Sequence, residues 1–433
     1  MTTPSTYDVA IVGGGIAGCA SAYYLAKRGL SVVLFEKGRI AGEQSGRNWG
    51  FVRQQGRDPV EIPLMMACNR MWRGLEAELQ ADIEWRQGGV LYLAEDDAGM
   101  AKYEAWLDHV KPYQLDSRKV TRAEAAELLP GMARAWAGGL LTPSDGHADP
   151  VKSTVAFARA AERLGAVFHT GSVVDGVETA GGKVTGLRTE LGEVRCQTVL
   201  LAAGVWSARL LRKLGLDLPQ LRVRSTVLRT AAVPEKTGLG VWSPQFGLRQ
   251  RRDGSFNVGG GSRVDHQIGV DSLRHFMAFR QTFKNSKSHT SLGLGRHFFD
   301  DLRVHLDGAH LGRQLRRDRV LDPAPNQRTV THCLAAFRAT FPEFADIEMV
   351  TAWAGIIEVT PDELPVFGPL PGIDGLVVAT GFSGHGFGMG PITGRLMAEV
   401  IADGKESLDI GDFRFARFAA HGAGAAKRGL IRE

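Results

Sequence analysis

Three glycines near the start of the chain have a spacing that suits a phosphate-containing ligand. Gly13, Gly15 and Gly18 form a G-x-G-x-x-G pattern, and Glu36 follows 18 residues after the last of them. The first glycine permits a tight turn, the second lets backbone approach a pyrophosphate, and the third allows close helix packing. The N–H groups that open the next helix favour negative charge. The pattern therefore predicts a dinucleotide site.

Glu36 narrows the choice of dinucleotide. Its carboxylate is suited to bind ribose hydroxyls and would repel a 2′-phosphate, which disfavours NADP. The motif by itself leaves FAD and NAD open.

A second glycine-rich stretch lies late in the chain and is interleaved with Phe382, His385 and Phe387. Its glycines are Gly381, Gly384, Gly386, Gly388 and Gly390. Backbone without side chains can lie against a flat ring without collision, so the stretch favours a planar ligand, with a flexible loop as the alternative. His385 either hydrogen-bonds near such a ligand or donates to backbone within a tight loop.

The residues around the first motif predict a strand, a turn and a helix. Residues 7–12 and 31–35 are short apolar runs, and residues 16–28 are rich in Ala, Leu and Tyr and end before Gly29. Residues 9–26 carry no charge and match a membrane span in length, but their glycines disfavour a spanning helix. We therefore predict a βαβ unit in a cytoplasmic protein with no transmembrane segment.

Later segments predict that the nucleotide-binding domain is discontinuous. Residues 198–203 and 376–379 have the composition of buried strands, and residues 391–402 place apolar side chains at helical spacing.

Other segments predict a second sheet. They are residues 89–94, 222–230 and 256–259, which are typical of strands. Residues 265–330 are polar and basic, and we expect an irregular, loop-rich lid there.

The composition excludes several classes of function. The chain has 433 residues, of which 44% are hydrophobic and 23% charged, and this suits a two-domain globular protein. Its 52 basic and 47 acidic residues form no long basic block, so we predict no nucleic-acid partner. The locally basic stretch 313–319 is interpreted as a solvated face, with anionic substrate steering or peripheral membrane contact as alternatives. The four cysteines lie far apart without metal-ligand spacing, which predicts a reducing compartment and no metal.

Three further segments carry a resemblance to a known family. They are residues 45–48 (SGRN), 198–207 (TVLLAAGVWS) and 353–390, the last containing TPDELPVFGPL and ATGFSGHGFGMGP. From about residue 7 to about residue 405, the chain resembles the D-amino-acid oxidase-like flavoprotein family, which includes D-amino-acid dehydrogenases, glycine oxidase and sarcosine oxidase.

The resemblance implies an α/β (α+β two-domain) fold, in which a Rossmann-like FAD-binding domain joins a substrate domain built on a mixed or antiparallel sheet. We predict an FAD-binding domain over residues 1–84, 149–218 and 346–433, the last including a tail. The substrate domain takes residues 85–148 and 219–345, with the lid in the second part.

The resemblance also implies FAD as the cofactor. It assigns to cofactor binding Gly13, Gly15, Ile16, Ala17, Gly18, Glu36, Lys37, Ser45, Gly46, Arg47, Asn48, Val174, Ala203, Gly204, Trp206, Gly355, Gly384, His385, Gly386, Phe387 and Gly388. The backbone of Val174 is the expected contact to the adenine. Sarcosine-oxidase-like members tether the flavin to a cysteine just before TPD; Gly355 occupies that position here, so we predict non-covalent FAD.

The implied reaction is hydride transfer to the flavin from the carbon next to nitrogen in a small amine or amino acid. The implied electron acceptor is oxygen, or a quinone or other carrier. The candidate catalytic residues are His385, Arg47, Asn48 and Arg249.

One position departs from the family pattern. Amino-acid members often carry a carboxylate-binding arginine before TPD, where this chain has Ile357. Arg53, Arg249 and Arg251 are the candidate replacements, unless the substrate presents no carboxylate there. Glu358 could instead receive a cationic amine, but neighbours along a strand face opposite sides, so we expect only one of Ile357 and Glu358 to face the pocket.

Two alternatives to amine oxidation stay open. A flavin-dependent monooxygenase shares the N-terminal motif, although the chain has no LIGDAAH-like segment. A non-catalytic flavin-binding subunit of a dehydrogenase complex would share the whole pattern.

Overall fold

The N-terminal glycine motif lies between a buried strand and a helix, which confirms the predicted βαβ unit. The computed structural model describes residues 6–287 and 289–420, in which β1 is Thr6–Val12, α1 is Ile16–Lys27 and β2 is Val32–Glu36. β1 and β2 are parallel. In this part of the chain no helix has both the length and the apolar character needed to cross a membrane. Most of the predicted C-terminal tail lies outside the described residues.

The other elements follow in chain order. The strands are β3 Phe51–Val52, β4 Val90–Ala94, β5 Arg118–Thr121, β6 Gly138–Thr142, β7 Gly146–His147, β8 Val167–Thr170, β9 Val174–Ala180, β10 Lys183–Thr189, β11 Gly192–Leu201, β12 Leu221–Ala232, β13 Gly240–Trp242, β14 Gly247–Gln250, β15 Ser255–Gly259, β16 Val264–Gln267, β17 Thr290–Gly293, β18 Met349–Val359, β19 Val366–Pro369 and β20 Leu376–Thr380. The helices are α2 Gln44–Arg47, α3 Ile62–Leu79, α4 Asp97–Val110, α5 Arg122–Leu128, α6 Pro150–Arg163, α7 Ser207–Arg212, α8 Val270–Arg274, α9 Phe276–Ser286, α10 Arg296–Leu306, α11 Ala309–Arg317, α12 Gln327–Thr340, α13 Gly386–Ala402 and α14 Arg417–Ala420.

The first sheet has the layered arrangement of a nucleotide-binding fold. Its strands β20, β11, β1, β2 and β8 are parallel in that order, β19 adds an antiparallel edge, and the hairpin of β9 and β10 pairs with β11. Apolar side chains of α1, α6 and α13 cover one face, while those of α7 and α11 cover the other. Both faces are therefore buried, as expected of uniformly apolar parallel strands.

The second sheet is mixed, and the two sheets together confirm the predicted fold class. β12 pairs antiparallel with β15, β16 and β18, whereas β13 and β4 are parallel. β18 was placed within residues 346–433 of the FAD-binding domain, but its register with β12 runs from Leu221↔Val359 to Thr230↔Met349. That register puts the strand in the second sheet, whereas the predicted domain division itself stays a prediction.

The lid differs from the prediction, because residues 265–330 contain the helices α8 to α11 rather than irregular loops. The usual apolar periodicity is missing from α10, since its buried positions include Asp300 and Asp301, while Phe299 and Leu306 are exposed. Arg209 of α7 forms an ion pair with Asp301 and so fastens the lid to the first domain. A helix held by buried ion pairs is not visible in a hydrophobic pattern.

The late glycine stretch is not a loop over its whole length, because α13 begins within it, at Gly386. Gly390 and Gly394 face α1: a Cβ at Gly390 would lie 2.6 Å from the Ile16 side chain, and one at Gly394 would lie 2.5 Å from the Ala20 backbone. Pro391 interrupts the backbone hydrogen bonds within the helix. Close packing against α1 compensates for that interruption.

We expect Gly394→Ala to lower the free energy of unfolding by about 1–3 kcal/mol, because the added methyl group would force α1 and α13 apart. Gly74→Ala is the matched control, since Gly74 lies in α3 and a Cβ there would meet no atom within 4 Å. Alanine there should leave stability unchanged or raise it by about 1 kcal/mol. Denaturant unfolding followed by circular dichroism measures both; equal effects would contradict the close contact.

Candidate active site

A cavity of about 550 Å³ is lined by residues of both sheets and of α9. Its size is that of a cofactor or ligand pocket. One part of its wall is the glycine motif after β1, and another is the loop between β20 and α13. The two glycine-rich stretches of the sequence therefore meet at one cavity.

The three glycines of the first motif have different roles in the structure. Gly13 has φ +114°, and a Cβ there would lie 2.3 Å from the Ala202 carbonyl oxygen. A Cβ at Gly18 would lie 2.1 Å from the Gly13 oxygen. Close packing therefore requires glycine at both positions. At Gly15 a Cβ would meet only Ser45 Oγ, at 3.0 Å, and Gly15 lines the cavity. The side left open by Gly15 is where a ligand could approach the backbone.

The walls near this motif hold a buried carboxylate and a hydroxyl. Glu36 accepts hydrogen bonds from the Gly14 N–H at 2.8 Å and the Gly38 N–H at 2.7 Å. Burial raises the pKa of Glu36, although these two bonds oppose the rise. The Ile16 N–H donates to Ser45 Oγ at 2.9 Å, which ties the start of α1 to α2. Glu36 lines the cavity, and its contact to a ribose stays a prediction.

Three buried polar atoms in the cavity wall have no hydrogen-bond partner within the described residues. They are Ser172 Oγ, Trp206 Nε1 and Glu358 Oε2. Buried polar groups are normally hydrogen-bonded, so such atoms favour a polar ligand between them. A dinucleotide carrying a polar ring system fits this donor and acceptor set.

Arg47 and Asn48 line the cavity, but most of their polar atoms are bonded to the protein itself. Arg47 donates to the Ala354 oxygen at 3.0 Å and pairs with Asp322 at 2.7 Å. Asn48 donates to the Gln44 and Ser45 backbone oxygens of α2 and accepts from the Gly50 N–H at 2.8 Å. These contacts make both residues part of the wall that holds α2 in place.

Most residues that the sequence assigned to cofactor binding or catalysis line the cavity, and four of them do not. Those that do are Gly13, Gly15, Ile16, Ala17, Glu36, Lys37, Ser45, Arg47, Asn48, Val174, Ala203, Gly204, Trp206, Gly355, Gly384, His385, Gly386 and Phe387. Gly18, Gly46, Gly388 and Arg249 lie outside the wall. The first two are packing glycines, and the Gly388 oxygen accepts a hydrogen bond from Trp72 Nε1 at 2.9 Å. Whether the lining residues contact cofactor stays a prediction.

Arg249 does not line the cavity, and its role in substrate binding stays a prediction. Its side chain is buried behind Gly50, and its Nη1 donates to the Ala148 oxygen at 2.8 Å. Burial lowers the pKa of Arg249 to about 10. Arg251 pairs with Asp149 at 3.2 Å and likewise does not line the cavity. The strand-like segment FGLRQ suggested that Arg249 lies on the substrate sheet, but it could not show that Gly50 lies between Arg249 and the cavity.

Arg53 is the remaining candidate, and it lines the cavity together with Arg57, Glu61 and His385. The Arg57 guanidinium lies 3.7 Å from the Glu61 carboxylate, and Arg57 Nε donates to the Arg53 oxygen at 3.2 Å. The Arg53 guanidinium lies 5.7 Å from the centre of the Tyr92 ring. We call these four residues the charged cluster.

Protonation within the charged cluster follows from burial and charge. Burial alone would raise the pKa of Glu61, but the hydrogen bond with His385 and the nearby Arg57 guanidinium outweigh burial and lower the pKa. Burial and Arg57 lower the pKa of His385 more than Glu61 raises it, so the ring is neutral at pH 7. His385 Nδ1 lies 3.1 Å from Glu61 Oε1, which places the proton on Nδ1 and leaves Nε2 as an acceptor.

The expectation that only one of Ile357 and Glu358 faces the pocket is wrong, since both line the cavity. The cavity extends past both sides of the end of β18, so alternation along the strand does not choose between them. Burial raises the pKa of Glu358 to about 7, although hydrogen bonds oppose the rise.

Sequence reasoning missed Glu61 and Arg57. Asp58 and Glu61 form a capping box at the turn Pro59–Glu61, and that local role hides the contact of Glu61 with His385.

The cavity wall also contains backbone strain. The non-glycine residues Ala41, Glu363 and Ser383 have φ of 58°, 62° and 50°, and all three line the cavity. Such strain often marks functional sites.

Comparison with known proteins is consistent with this geometry. A family model described as FAD dependent oxidoreductase (DAO) matches residues 8–400. Sarcosine oxidase subunit beta of Rhizobium meliloti is 28% identical over 419 residues, which are 95% of this chain and 88% of that protein. Human mitochondrial sarcosine dehydrogenase is 26% identical over 426 residues, 96% of this chain. The chain spans only 42% of the length of that dehydrogenase.

Solved structures show the same fold. The L-amino acid deaminase from Proteus myxofaciens, in complex with anthranilate, superposes with a TM-score of 0.90 at 28% identity. The match covers 96% of this chain and 95% of the deaminase chain.

We expect Glu358→Gln to stabilise the protein in a pH-dependent way. A carboxyl group whose pKa is raised from 4.5 to about 7 by folding loses its stabilising contribution as the pH rises through that range. The variant and the wild type should therefore differ little below pH 4.5, and the variant should gain up to about 3 kcal/mol above pH 7.

Denaturant unfolding at a series of pH values measures this gain. Glu348→Gln is the control, because Glu348 is exposed and its replacement should give no such trend. A Glu358→Gln effect that is the same at every pH would show that Glu358 is ionised in the fold.

Proposed function

Because the chain belongs to the DAO family of FAD-dependent oxidoreductases, we propose that it oxidises the carbon–nitrogen bond of a small amino acid or amine. The observation that carries the proposal is a single cavity that joins the glycine motif at Gly15 to the charged cluster around His385. The similar proteins are named for sarcosine or L-amino acids, which share a carboxylate and an oxidisable carbon–nitrogen bond.

The residues present fit FAD at this site. The backbone around Gly15 and the start of α1 would bind the pyrophosphate, and Glu36 would bind the ribose. Gly355 and Gly384 present backbone without side chains to the ring system, and Glu358 Oε2 and Trp206 Nε1 offer unsatisfied polar atoms. When bound, FAD accepts the hydride that leaves the substrate carbon.

Non-covalent binding of FAD remains our proposal. The four cysteines are buried, and none belongs to the cavity wall formed by the described residues. Gly355 stands where some relatives of the resembled family carry the tethering cysteine.

Arg53 would bind the substrate carboxylate in place of the arginine replaced by Ile357. It lies in the wall next to Arg57, whose Nη2 is 3.5 Å from the His385 oxygen. Two guanidinium groups near one end of the cavity favour an anionic group there, and guanidinium pairs with carboxylate through parallel hydrogen bonds. The charged cluster therefore supports an amino acid over a simple amine.

His385 would orient the substrate nitrogen. Its neutral ring offers Nε2 as a hydrogen-bond acceptor, and Glu61 fixes the orientation of the ring through Nδ1. A neutral acceptor binds an amine N–H without adding positive charge beside it, which helps hold the amine close to the reacting position.

For reoxidation we propose oxygen, or a quinone or other carrier, because the similar proteins include both an oxidase subunit and a dehydrogenase. The four free cysteines support a reducing compartment, and we propose the cytoplasm. The predicted domain division also remains a proposal, with β18 moved to the substrate domain.

A second candidate is a flavin-binding subunit of a larger enzyme. It is favoured by the similarity to a protein named as subunit beta of sarcosine oxidase over 95% of this chain. Turnover of an amino acid by the purified single chain distinguishes the first proposal from this one.

We expect Arg53→Ala to lower kcat/KM for the best amino acid substrate by about 10- to 150-fold, because a charge-assisted hydrogen bond contributes about 1.5–3 kcal/mol. The corresponding amine without a carboxylate should lose far less. Steady-state assays on both substrates measure the difference, and FAD content and circular dichroism check folding.

Arg53→Lys should restore part of the lost kcat/KM, since it keeps the charge but not the planar geometry. Arg251→Ala is the matched control, because Arg251 pairs with Asp149 away from the cavity wall. Equal losses for amino acid and amine would remove Arg53 as the carboxylate ligand.

A further inference from the structure

The lid carries an unusual amount of exposed apolar surface. In the described part of the chain, eight of the twelve exposed large hydrophobic side chains lie between residues 273 and 306. They are Leu273, Phe276, Met277, Leu292, Leu294, Phe299, Leu302 and Leu306. We call these eight exposed side chains together the lid face. Large apolar patches on a soluble protein usually mark a contact with another surface.

Helix α10 buries acidic side chains and exposes apolar ones, which is the reverse of an ordinary surface helix. Asp300 and Asp301 are buried and pair with Arg317, at 3.0 Å, and with Arg209. Phe299, Leu302 and Leu306 follow helical spacing on another side of α10 and are 58%, 37% and 79% exposed. Within the described chain, the apolar side of α10 therefore has no partner.

Helices α8 and α9 continue the lid face and add positive charge. Phe276 and Met277 are 57% and 56% exposed, while Phe279 and Thr282 of α9 face inward. The exposed residues Arg280, Lys284 and Lys287 follow Phe276 at spacings that keep them on the outer side of the helix. The apolar residues are therefore bordered by cations.

Acidic side chains are missing from this part of the sequence. Residues 272–299 contain five Lys and Arg residues and no Asp or Glu. Asp271 and Asp300, which flank this stretch, are buried in ion pairs with Arg212, at 2.6 Å, and with Arg317. The acids next to the stretch thus point inward. Arg274 pairs with Asp217 and the exposed Asp307 pairs with Arg313, so the unpaired positive charge beside the lid face in the described chain is that of Arg280, Lys284 and Lys287.

We propose that the lid face docks on a membrane surface that contains anionic phospholipids. Exposed apolar side chains would enter the boundary between headgroups and acyl chains, and Lys and Arg would contact the phosphates. Charge complementarity selects this occupant, because a bilayer surface is broad and negative while the lid face is broad, positive and spread over α8, α9, β17 and α10. The docking is peripheral, in agreement with the lack of a spanning helix in the described residues.

The position of the lid gives this docking a consequence for the cavity. Phe279 and Thr282 of α9 are buried and line the cavity, whereas Phe276 and Met277 of the same helix are exposed. One helix therefore separates the cavity from the lid face. A docked protein would hold this wall of its cavity against the bilayer.

Vesicle sedimentation of the FAD-loaded protein tests the proposal. We expect binding to phosphatidylcholine vesicles in which phosphatidylglycerol is about a third of the lipid, much weaker binding to pure phosphatidylcholine, and loss of binding at high salt. Phe276→Ser with Met277→Ser should weaken binding at least about tenfold, because two apolar side chains no longer leave water. Lys284→Glu with Lys287→Glu should weaken it by about fivefold or more for each charge.

Leu191→Ser with Val350→Ser is the matched control, since these residues are 63% and 61% exposed but lie outside the lid. The control should bind vesicles like the wild type, and all variants should keep their FAD content and their activity with a soluble electron acceptor.

Two results would overturn the proposal. One is vesicle binding that is absent, or that is the same in the lid variants and the wild type. The other is a stable dimer in sedimentation velocity that Phe276→Ser with Met277→Ser dissociates, because the lid face would then be covered by a second copy of the chain.

Discussion

The contact between α1 and α13 fixes where the functional groups of the cavity lie. Gly390 and Gly394 let α13 approach Ile16 and Ala20 so closely that a single methyl group would separate the helices. Through this contact the glycine motif at the start of α1 and the loop before α13 reach one cavity, although they are distant in the sequence. The absence of side chains at these positions is therefore as important for the site as the charged residues are.

The charged cluster holds two cationic side chains and one carboxylate, so it has a net positive charge. Arg53 and Arg57 lie beside Glu61, and the neutral His385 completes the charged cluster. Breaking a buried pair leaves an uncompensated charge, so each member constrains the others. Under the proposed function, such a cluster would receive a small amino acid, with its carboxylate at the arginines and its nitrogen at the histidine.

The sequence was most informative where physical requirements are local. The spacing of Gly13, Gly15 and Gly18 predicted the βαβ unit, and apolar runs predicted β11 and β20 of the first sheet and β4, β12 and β15 of the second. It was least informative where distance in sequence hides contact: Arg249 lies behind Gly50, and Glu61 meets His385 across 324 residues. The lid helices escaped prediction because ion pairs, and not apolar side chains, hold the inner side of α10.

An anaerobic titration of the FAD-loaded chain with amino acids and amines tests the central claim most directly. If the charged cluster and the glycine-lined wall share one cavity as described, an amino acid substrate will reduce the flavin and abolish its visible absorbance near one equivalent. Visible absorbance that survives every amino acid and amine, but disappears on addition of NADPH, would contradict the account and favour a monooxygenase.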